Sequence, residues 1–232
     1  LSTERYSHIV GGDTAHEKLG RPLDWIFDRY LSHYRSNARA LASLARQLNR
    51  KYCMIESFHS VGWTMTLQDA KWMIDYLGTQ GINFFNFHAF YYTIDALVKH
   101  DAPPSQFFQN PYWEHYRQLS DYVGRVSVLN TWSEPETSTA VLDPVASLWC
   151  SMGNGFQRFK YTGFEEGREK LCGQIVDGWV EACKEIVYHQ VNYDHLDGDI
   201  FKDAQIRGGK AFIGRAVYDT LILTPSFCIE KR

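Results

Sequence analysis

The chain has 232 residues, of which 44% are hydrophobic, and its formal net charge is -3. This length suffices for one large domain or two small ones, and the lack of a basic block gives no indication of nucleic-acid binding. No apolar run reaches the length of about 18 residues that a membrane span needs, and the first residues do not resemble a signal peptide. The five cysteines are widely spaced without a CxxC pair, so neither a zinc site nor a complete disulfide framework is predicted.

The N-terminal part of the sequence predicts a short strand, a turn and a long helix. We expect the strand at residues 6–10 and the turn at Gly11-Gly12-Asp13, so that Asp13 follows a strand end. The plainer interpretation of Asp13 is an exposed turn residue. Apolar residues recur at helical spacing over 25–49, which predicts a helix on the outside of a sheet.

Two strands with a helix between them are predicted over residues 51–88, the segment around which the chain is organised. Apolar stretches at 51–56 and 82–88 are bounded by polar or glycine-rich residues, as in a parallel sheet that helices cover on both faces. Cys53 lies in the first of these strands as a small buried hydrophobic residue. The helix covers 67–78, with Thr66 as its N-cap and Asp69 at the capping-box position.

Polar side chains stand at the carboxyl end of each predicted strand, which is the edge where α/β barrels place their chemistry. Glu56, Ser57 and His59 follow the first strand, and His88 follows the second. A carboxylate and an imidazole at neighbouring strand ends would face the same pocket. From position alone, Glu56 is equally consistent with capping a helix or an arginine, and a core histidine with satisfied hydrogen bonds is the commoner role for His88.

Beyond this segment the chain predicts a loop, a helix, a linker and a second set of α/β elements. The loop covers 93–110, and a long loop at a strand's carboxyl end often contributes to a binding site. A helix is predicted over 111–130 and a linker over 132–138. The remaining elements indicate the first half of a second α/β domain: strand 139–142, helix 165–190, strand 191–196, a hairpin of 204–206 with 211–213, and strand 218–223.

No nucleophile-elbow, metalloprotease, Walker or dinucleotide-binding motif is present. Aromatic residues make up 15% of the chain, and Trp and Tyr can stack on sugars, although core packing is their commoner use. Glycoside hydrolysis uses two carboxylates. Glu56 is the stronger candidate for one of them, and Asp13 is the only other loop acid near a predicted strand end.

Four segments resemble, in order and spacing, the carboxyl half of the catalytic region of glycoside hydrolase family 106, the α-L-rhamnosidases and related enzymes. The segments are MIESFHSVGW, DAKWMIDYLGTQGINFFNFHAFYY, NPYWEHYRQLSDYVGRVSVLN and TAVLDPVASLW. The resemblance implies an α/β fold with the C-terminal part of a (β/α)8 TIM barrel over residues 1–134. A partial flavodoxin-like α/β domain over residues 135–232 would follow it.

The resemblance also implies roles for individual residues. Glu56 would end barrel strand seven and act as the general base of an inverting enzyme or the nucleophile of a retaining one. The general acid would lie before Leu1, in an N-terminal part of the same polypeptide, so we expect a fragment of a longer protein. By their position in the sequence rather than by the resemblance, four side chains would shape the sugar subsite: His88, Trp63, Tyr91 and His59.

We therefore expect a hydrolase of carbohydrate metabolism. It would be a rhamnosidase-like glycosidase that acts on α-L-rhamnosides or related oligo- or polysaccharides. The chemistry requires no cofactor, while the resemblance implies calcium near the site without matching ligand positions. It favours an extracellular or periplasmic location over the cytoplasm. The alternative is a carbohydrate-binding relative without catalysis. An unrelated sugar-phosphate enzyme is disfavoured because no phosphate-binding loop follows the last strand.

Overall fold

A computed structural model describes residues 2–15, 22, 38–151 and 168–229. The chain divides into two units, one formed by Thr3–Pro135 and the other mainly by Glu136–Arg232. Both contain parallel sheets together with helices, which confirms the predicted α/β class. The predicted helical residues 25–37 and 165–167 lie outside the described residues.

The first unit contains a three-stranded parallel sheet. Its strands are β1 (Val10–Ala15), β2 (Cys53–His59) and β3 (Phe84–Phe87), in the spatial order β1-β2-β3. Sequential neighbours in a parallel sheet require a crossover between each pair, and helices occupy these connections. The predicted strands 51–56 and 82–88 are therefore confirmed with shifted ends.

The segment Gly11-Gly12-Asp13 lies inside β1, so the turn predicted there is wrong, as is the strand at 6–10. Residues Ser2–Tyr6 form a 3-10 helix instead. A Cβ on Gly11 would stand 3.0 Å from the terminal carbon of Met54 on β2. Glycine at this position therefore leaves room for the Met54 side chain on the neighbouring strand.

Three helices accompany the first sheet. They are α1, described over Ala38–Gln47, α2 (Leu67–Thr79) and α3 (Tyr116–Trp132). The predicted capping box at the start of α2 is confirmed, since the Asp69 amide donates to the Thr66 hydroxyl and the Thr66 amide donates to the Asp69 carboxylate. Helix α3 begins after a 3-10 turn at Trp113–His115, slightly later than predicted.

The core of the first unit lies where α2 and α3 pack together with the end of β2 and the loop that follows it. Its most buried members include Phe58, Met73 and Ile74, all at most 2% exposed. Gly81, in the connection between α2 and β3, lies against Ala42 of α1. Gly81 has a φ of +99°, and a Cβ there would stand 2.7 Å from the Cβ of Ala42. This position therefore requires glycine for both conformation and space.

Asn83 joins β2 to the residues that lead into β3. Its side-chain oxygen accepts a 2.8 Å hydrogen bond from the Cys53 amide, and its side-chain nitrogen donates to the Lys51 carbonyl at 2.9 Å. Cys53 is buried as predicted, and this burial raises the pKa of its thiol. The buried side-chain amide of Asn83 thus fixes the register of β3 relative to β2 at the start of both strands.

The second unit contains two small sheets. Parallel strands β4 (Thr139–Leu142), β5 (Tyr193–Leu196) and β9 (Thr220–Leu223) are ordered β5-β4-β9. Antiparallel strands β6 (Gln205–Arg207), β7 (Lys210–Ile213) and β8 (Ala216–Tyr218) form the other sheet, which confirms the predicted hairpin. The strand predicted over 218–223 is divided at Asp219, and its halves belong to different sheets.

Helices α4 (Val145–Ser151), α5 (Arg168–Tyr188) and α6 (Gly198–Phe201) belong to the same unit. A buried polar network joins α5 to the carboxyl ends of β4 and β5. The Asp143 Oδ1 atom accepts from the Trp179 indole nitrogen at 3.0 Å and lies 2.8 Å from the His195 Nδ1 atom. All three side chains are buried, so Asp143 connects two strands and a helix through one oxygen.

Candidate functional site

The candidate site lies at the carboxyl end of the first parallel sheet. Asp13 on β1 pairs in register with Glu56 on β2, and Glu56 pairs with Asn86 on β3. Residues in register on neighbouring strands project from the same face of a sheet. The fold therefore places Asp13, Glu56 and Asn86 side by side on one face. The opposite face of β2 carries Ile55 and Ser57, which are buried.

Glu56 and His88 come together at this edge, as their predicted strand positions suggested. The Glu56 Oε1 atom lies 3.7 Å from the His88 Nε2 atom. The two side chains retain 30% and 25% of their exposure, so both remain accessible to a ligand. A carboxylate beside an imidazole can accept one proton and orient another, which are the two tasks of general acid–base chemistry.

Two further rings extend the site around His88. The His59 ring packs edge-on against the His88 ring at 4.8 Å, and the Tyr91 ring does the same at 6.0 Å. The His88 Nδ1 atom is buried without a hydrogen-bond partner in the part of the chain that the structure describes. Three of the four predicted subsite residues, His59, His88 and Tyr91, thus form one continuous surface.

Tyr91 is electrostatically linked to Glu56 as well as to the following loop. Burial, then the charges of Asp101 and Glu56, raise the pKa of the Tyr91 phenol. Its hydroxyl donates to the backbone carbonyls of Asp101 and Ala102, at 2.9 and 3.2 Å. The Gln109 side chain also donates to the Tyr91 carbonyl at 2.9 Å. These hydrogen bonds attach the segment 93–110 to the site.

Trp63 lies in the loop before α2, and its contacts differ from those of the other predicted site residues. Its indole nitrogen donates a 2.8 Å hydrogen bond to the carbonyl of Lys99. That donor is engaged by the protein backbone and is therefore not offered to a ligand. Trp63 therefore braces the loop over 93–110.

The turn that carries His59 has an unusual backbone. Phe58 and Ser60 have positive φ values of 75° and 55°, although neither is glycine. Conformations of this kind cluster at functional sites, where the surrounding structure maintains them. Here the His88 amide donates to the Ser57 carbonyl at 2.8 Å, and Phe58 is fully buried, so both sides of the turn are anchored.

Asp13 is the site residue that the sequence analysis placed incorrectly. Its expected position in an exposed loop is wrong, because it lies within β1 opposite Glu56. Alternation along Val10–Ala15 would have placed Asp13 on one face, but the two glycines before it concealed the strand. The first sheet thus brings a second carboxylate to the face that carries Glu56.

The calcium expectation finds no ligand set in the described residues. No group of three or more His, Cys, Asp or Glu side chains there is arranged to hold a metal ion. Across the same ranges, no helix combines the length and apolar character needed to cross a membrane.

The solved structures that resemble this chain include a relative of wide coverage. No protein-family model matches the sequence, and no curated protein matches it either. The fold is similar to that of a rhamnosidase from Novosphingobium sp. PP1Y, with a TM-score of 0.61 and 14% sequence identity. The match covers 96% of this chain and 19% of the rhamnosidase chain, so this chain spans about a fifth of that protein's length. At this identity the similarity concerns the fold, which both α/β units of the present chain share with a part of that enzyme.

Proposed function

We propose that this chain is part of a glycoside hydrolase acting on α-L-rhamnosides or related glycans. The observation that carries the proposal is the placement of Glu56 near the end of a parallel strand, 3.7 Å from His88 and 30% exposed. The fold similarity to a solved rhamnosidase supports the same class of substrate. The family 106 resemblance of the sequence agrees with both.

The topology of each unit supports the wider architecture in this proposal. Consecutive parallel strands in the order β1-β2-β3, with α2 between the last two, are what successive units of a (β/α)8 barrel produce. In the second unit the first strand lies between the second and the last, the order found at the start of a flavodoxin-like sheet. The proposal therefore includes a partial barrel over residues 1–134 and a partial flavodoxin-like domain over residues 135–232.

In this proposal Glu56 acts on water or on the anomeric carbon. As a general base it would take a proton from the attacking water, and as a nucleophile it would form a covalent glycosyl intermediate. His88, whose Nε2 atom lies 3.7 Å from the Glu56 Oε1 atom, would orient this carboxylate and would hydrogen-bond a sugar hydroxyl. The ring faces of Tyr91 and His59 would contact the apolar face of the sugar.

Asp13 supplies a second carboxylate to this scheme. It projects from the same face as Glu56 on the neighbouring strand, where a negative charge would stabilise the oxocarbenium-like transition state. The proton donor to the leaving group remains assigned to the N-terminal part of the polypeptide. We therefore expect Asp13→Asn to lower turnover without preventing the fold.

The test is hydrolysis of a panel of aryl glycosides, including the α-L-rhamnoside, by the complete polypeptide. Glu56→Gln should lower turnover by on the order of 10²–10⁴-fold, because the amide cannot accept a proton or attack carbon. Glu114→Gln is the matched control, since Glu114 is exposed on the 3-10 turn before α3. Turnover by Glu56→Gln within about tenfold of the wild type would contradict the assignment.

The second candidate is a carbohydrate-binding protein without catalysis. The continuous surface of His59, His88 and Tyr91 favours it as much as it favours an enzyme. Glycan binding by the parent, unchanged by Glu56→Gln and without turnover of any aryl glycoside, would select this alternative.

A further inference from the structure

Two thiols in the second unit lie close together although they are far apart in the sequence. Cys150 is exposed in the last turn of α4, and Cys228 is half-buried in the segment that follows β9. Their sulfur atoms are 3.7 Å apart, within hydrogen-bond contact. The other three cysteines, Cys53, Cys172 and Cys183, are at most 2% exposed.

The backbone of Cys228 is held against α4 by Ser147. The Ser147 hydroxyl accepts hydrogen bonds from the amides of Phe227 and Cys228, at 3.1 and 3.0 Å, and donates to the Cys228 carbonyl at 2.9 Å. Ser147 is fully buried and lies one helical turn before Cys150. The juxtaposition of the two sulfurs therefore follows from an ordered contact between α4 and this segment.

Two further contacts fix the segment after β9. The Thr224 hydroxyl donates to the Leu142 carbonyl at 3.3 Å. Pro225 packs so closely on α5 that a Cβ at Gly178 would lie 2.7 Å from its ring. The chain from Thr224 to Cys228 is thus attached to β4, α5 and α4 in turn, and Cys228 cannot move far from Cys150.

We propose that Cys150 and Cys228 form a redox-sensitive pair that a peroxide converts to a disulfide. The proposal is independent of the proposed glycosidase function. The sulfurs must approach by about 1.7 Å, the difference between 3.7 Å and the roughly 2.0 Å length of a disulfide bond. We expect rotation of the exposed Cys150 side chain at the end of α4 to supply this approach.

The chemistry balances with hydrogen peroxide as the oxidant. The Cys150 thiolate attacks one peroxide oxygen, the O–O bond breaks, and the sulfenic acid of Cys150 forms while hydroxide leaves and takes a proton to give water. The Cys228 sulfur then attacks the Cys150 sulfur. The S–S bond forms, the S–O bond breaks, and a second water leaves with the Cys228 proton. Two thiols are oxidised and one peroxide is reduced to two waters.

The experiment treats the folded protein with hydrogen peroxide, blocks remaining thiols with N-ethylmaleimide under denaturing conditions and maps the tryptic peptides by mass spectrometry. We expect a peptide pair joined through Cys150 and Cys228 that dithiothreitol separates, while Cys53, Cys172 and Cys183 are recovered alkylated. Recovery of Cys150 as a sulfinic acid, as an intermolecular disulfide or as the alkylated thiol would overturn the proposal.

Two variants test the positioning of the pair. Ser147→Ala should slow formation of the disulfide, because it removes the contacts that hold Cys228 beside α4. Ser226→Ala is the matched control, since Ser226 is an exposed serine in the same segment. Equal rates in the two variants would contradict the role of Ser147. If Ser147→Ala does not fold, the peptide map of the wild-type protein still decides the proposal.

Discussion

Replacing Asp143 should destabilise the second unit more than any exposed substitution. Asp143 Oδ1 is the shared acceptor for the Trp179 indole nitrogen and for the His195 ring, at 3.0 and 2.8 Å, and its side chain is fully buried. Asp143→Ala leaves both groups without that acceptor in a site that water does not reach. Breaking a buried charged network in this way costs about 3–5 kcal/mol of unfolding free energy.

The amide variant separates hydrogen bonding from charge. Asp143→Asn keeps a carbonyl oxygen where Oδ1 stands, so both contacts persist without a charged acceptor. We expect it to cost about 1–2 kcal/mol, the difference between charged and neutral hydrogen bonds. Asp121→Ala is the control, because Asp121 lies on the exposed face of α3 and its ion pair with Arg117 should contribute at most about 1 kcal/mol.

The assay is urea unfolding combined with hydrogen exchange measured by mass spectrometry. Peptides from β4, β5 and α5 report the opening of the second unit separately from the first. A loss of less than about 1 kcal/mol in Asp143→Ala would refute the reasoning, because a fully buried shared acceptor cannot be removed at so small a cost. Equal losses in the Ala and Asn variants would show that charge, rather than hydrogen bonding, is what the network requires.

The remaining predictions concern the first unit. Gly81→Ala should lower the free energy of unfolding by about 1–3 kcal/mol, because the φ of +99° and the nearby Ala42 both oppose a side chain. Gly124 lies on α3 with open space around it, so Gly124→Ala should raise the free energy of unfolding by about 0.5–1 kcal/mol. Burial raises the pKa of Tyr116 to about 12. Unfolded chains therefore ionise first, and stability should fall from about pH 10 upward; Tyr116→Phe should reduce this fall.

Thermal unfolding of the two glycine variants and urea unfolding at pH values of about 9 and 11 supply these measurements. An equal response of Gly81→Ala and Gly124→Ala would contradict the steric argument. For the pH effect, Tyr92→Phe is the control, because Tyr92 is 91% exposed and should leave the pH dependence unchanged. If the stability of Tyr116→Phe falls with rising pH as steeply as that of the wild type, burial of this phenol is not the cause of the fall.

The sequence predicts best where local chemistry and periodicity agree. Helix α2 has a capping box at Thr66 and Asp69 and an amphipathic pattern, and it forms at the predicted place. The apolar stretches of β2 and β3 likewise identify strands, so the neighbouring ends that carry Glu56 and His88 were predictable. These features depend on residues within a few positions of each other.

Features that depend on distant contacts were not predictable in the same way. The strand that carries Asp13 was not predicted, because the glycines before Asp13 are typical of a turn. Gly11 instead leaves room for the side chain of Met54, which is far away in the sequence. Helix α4 directly follows Asp143-Pro144 and was not predicted, and the contact between Cys150 and Cys228 depends on it. The division of the last predicted strand at Asp219 follows from two sheets that compete for neighbouring residues.

The two hydrogen bonds of the Asn83 side chain have a consequence for the site at the other end of the strands. Side chains alternate between faces along a strand, so displacing β3 by one residue relative to β2 would exchange Asn86 for its neighbour Phe87 opposite Glu56. An aromatic ring would then occupy the place of an amide beside the carboxylate, and His88 would move with it. The register of β2 and β3 therefore determines which side chains surround Glu56, and an amide buried near the start of both strands maintains that register.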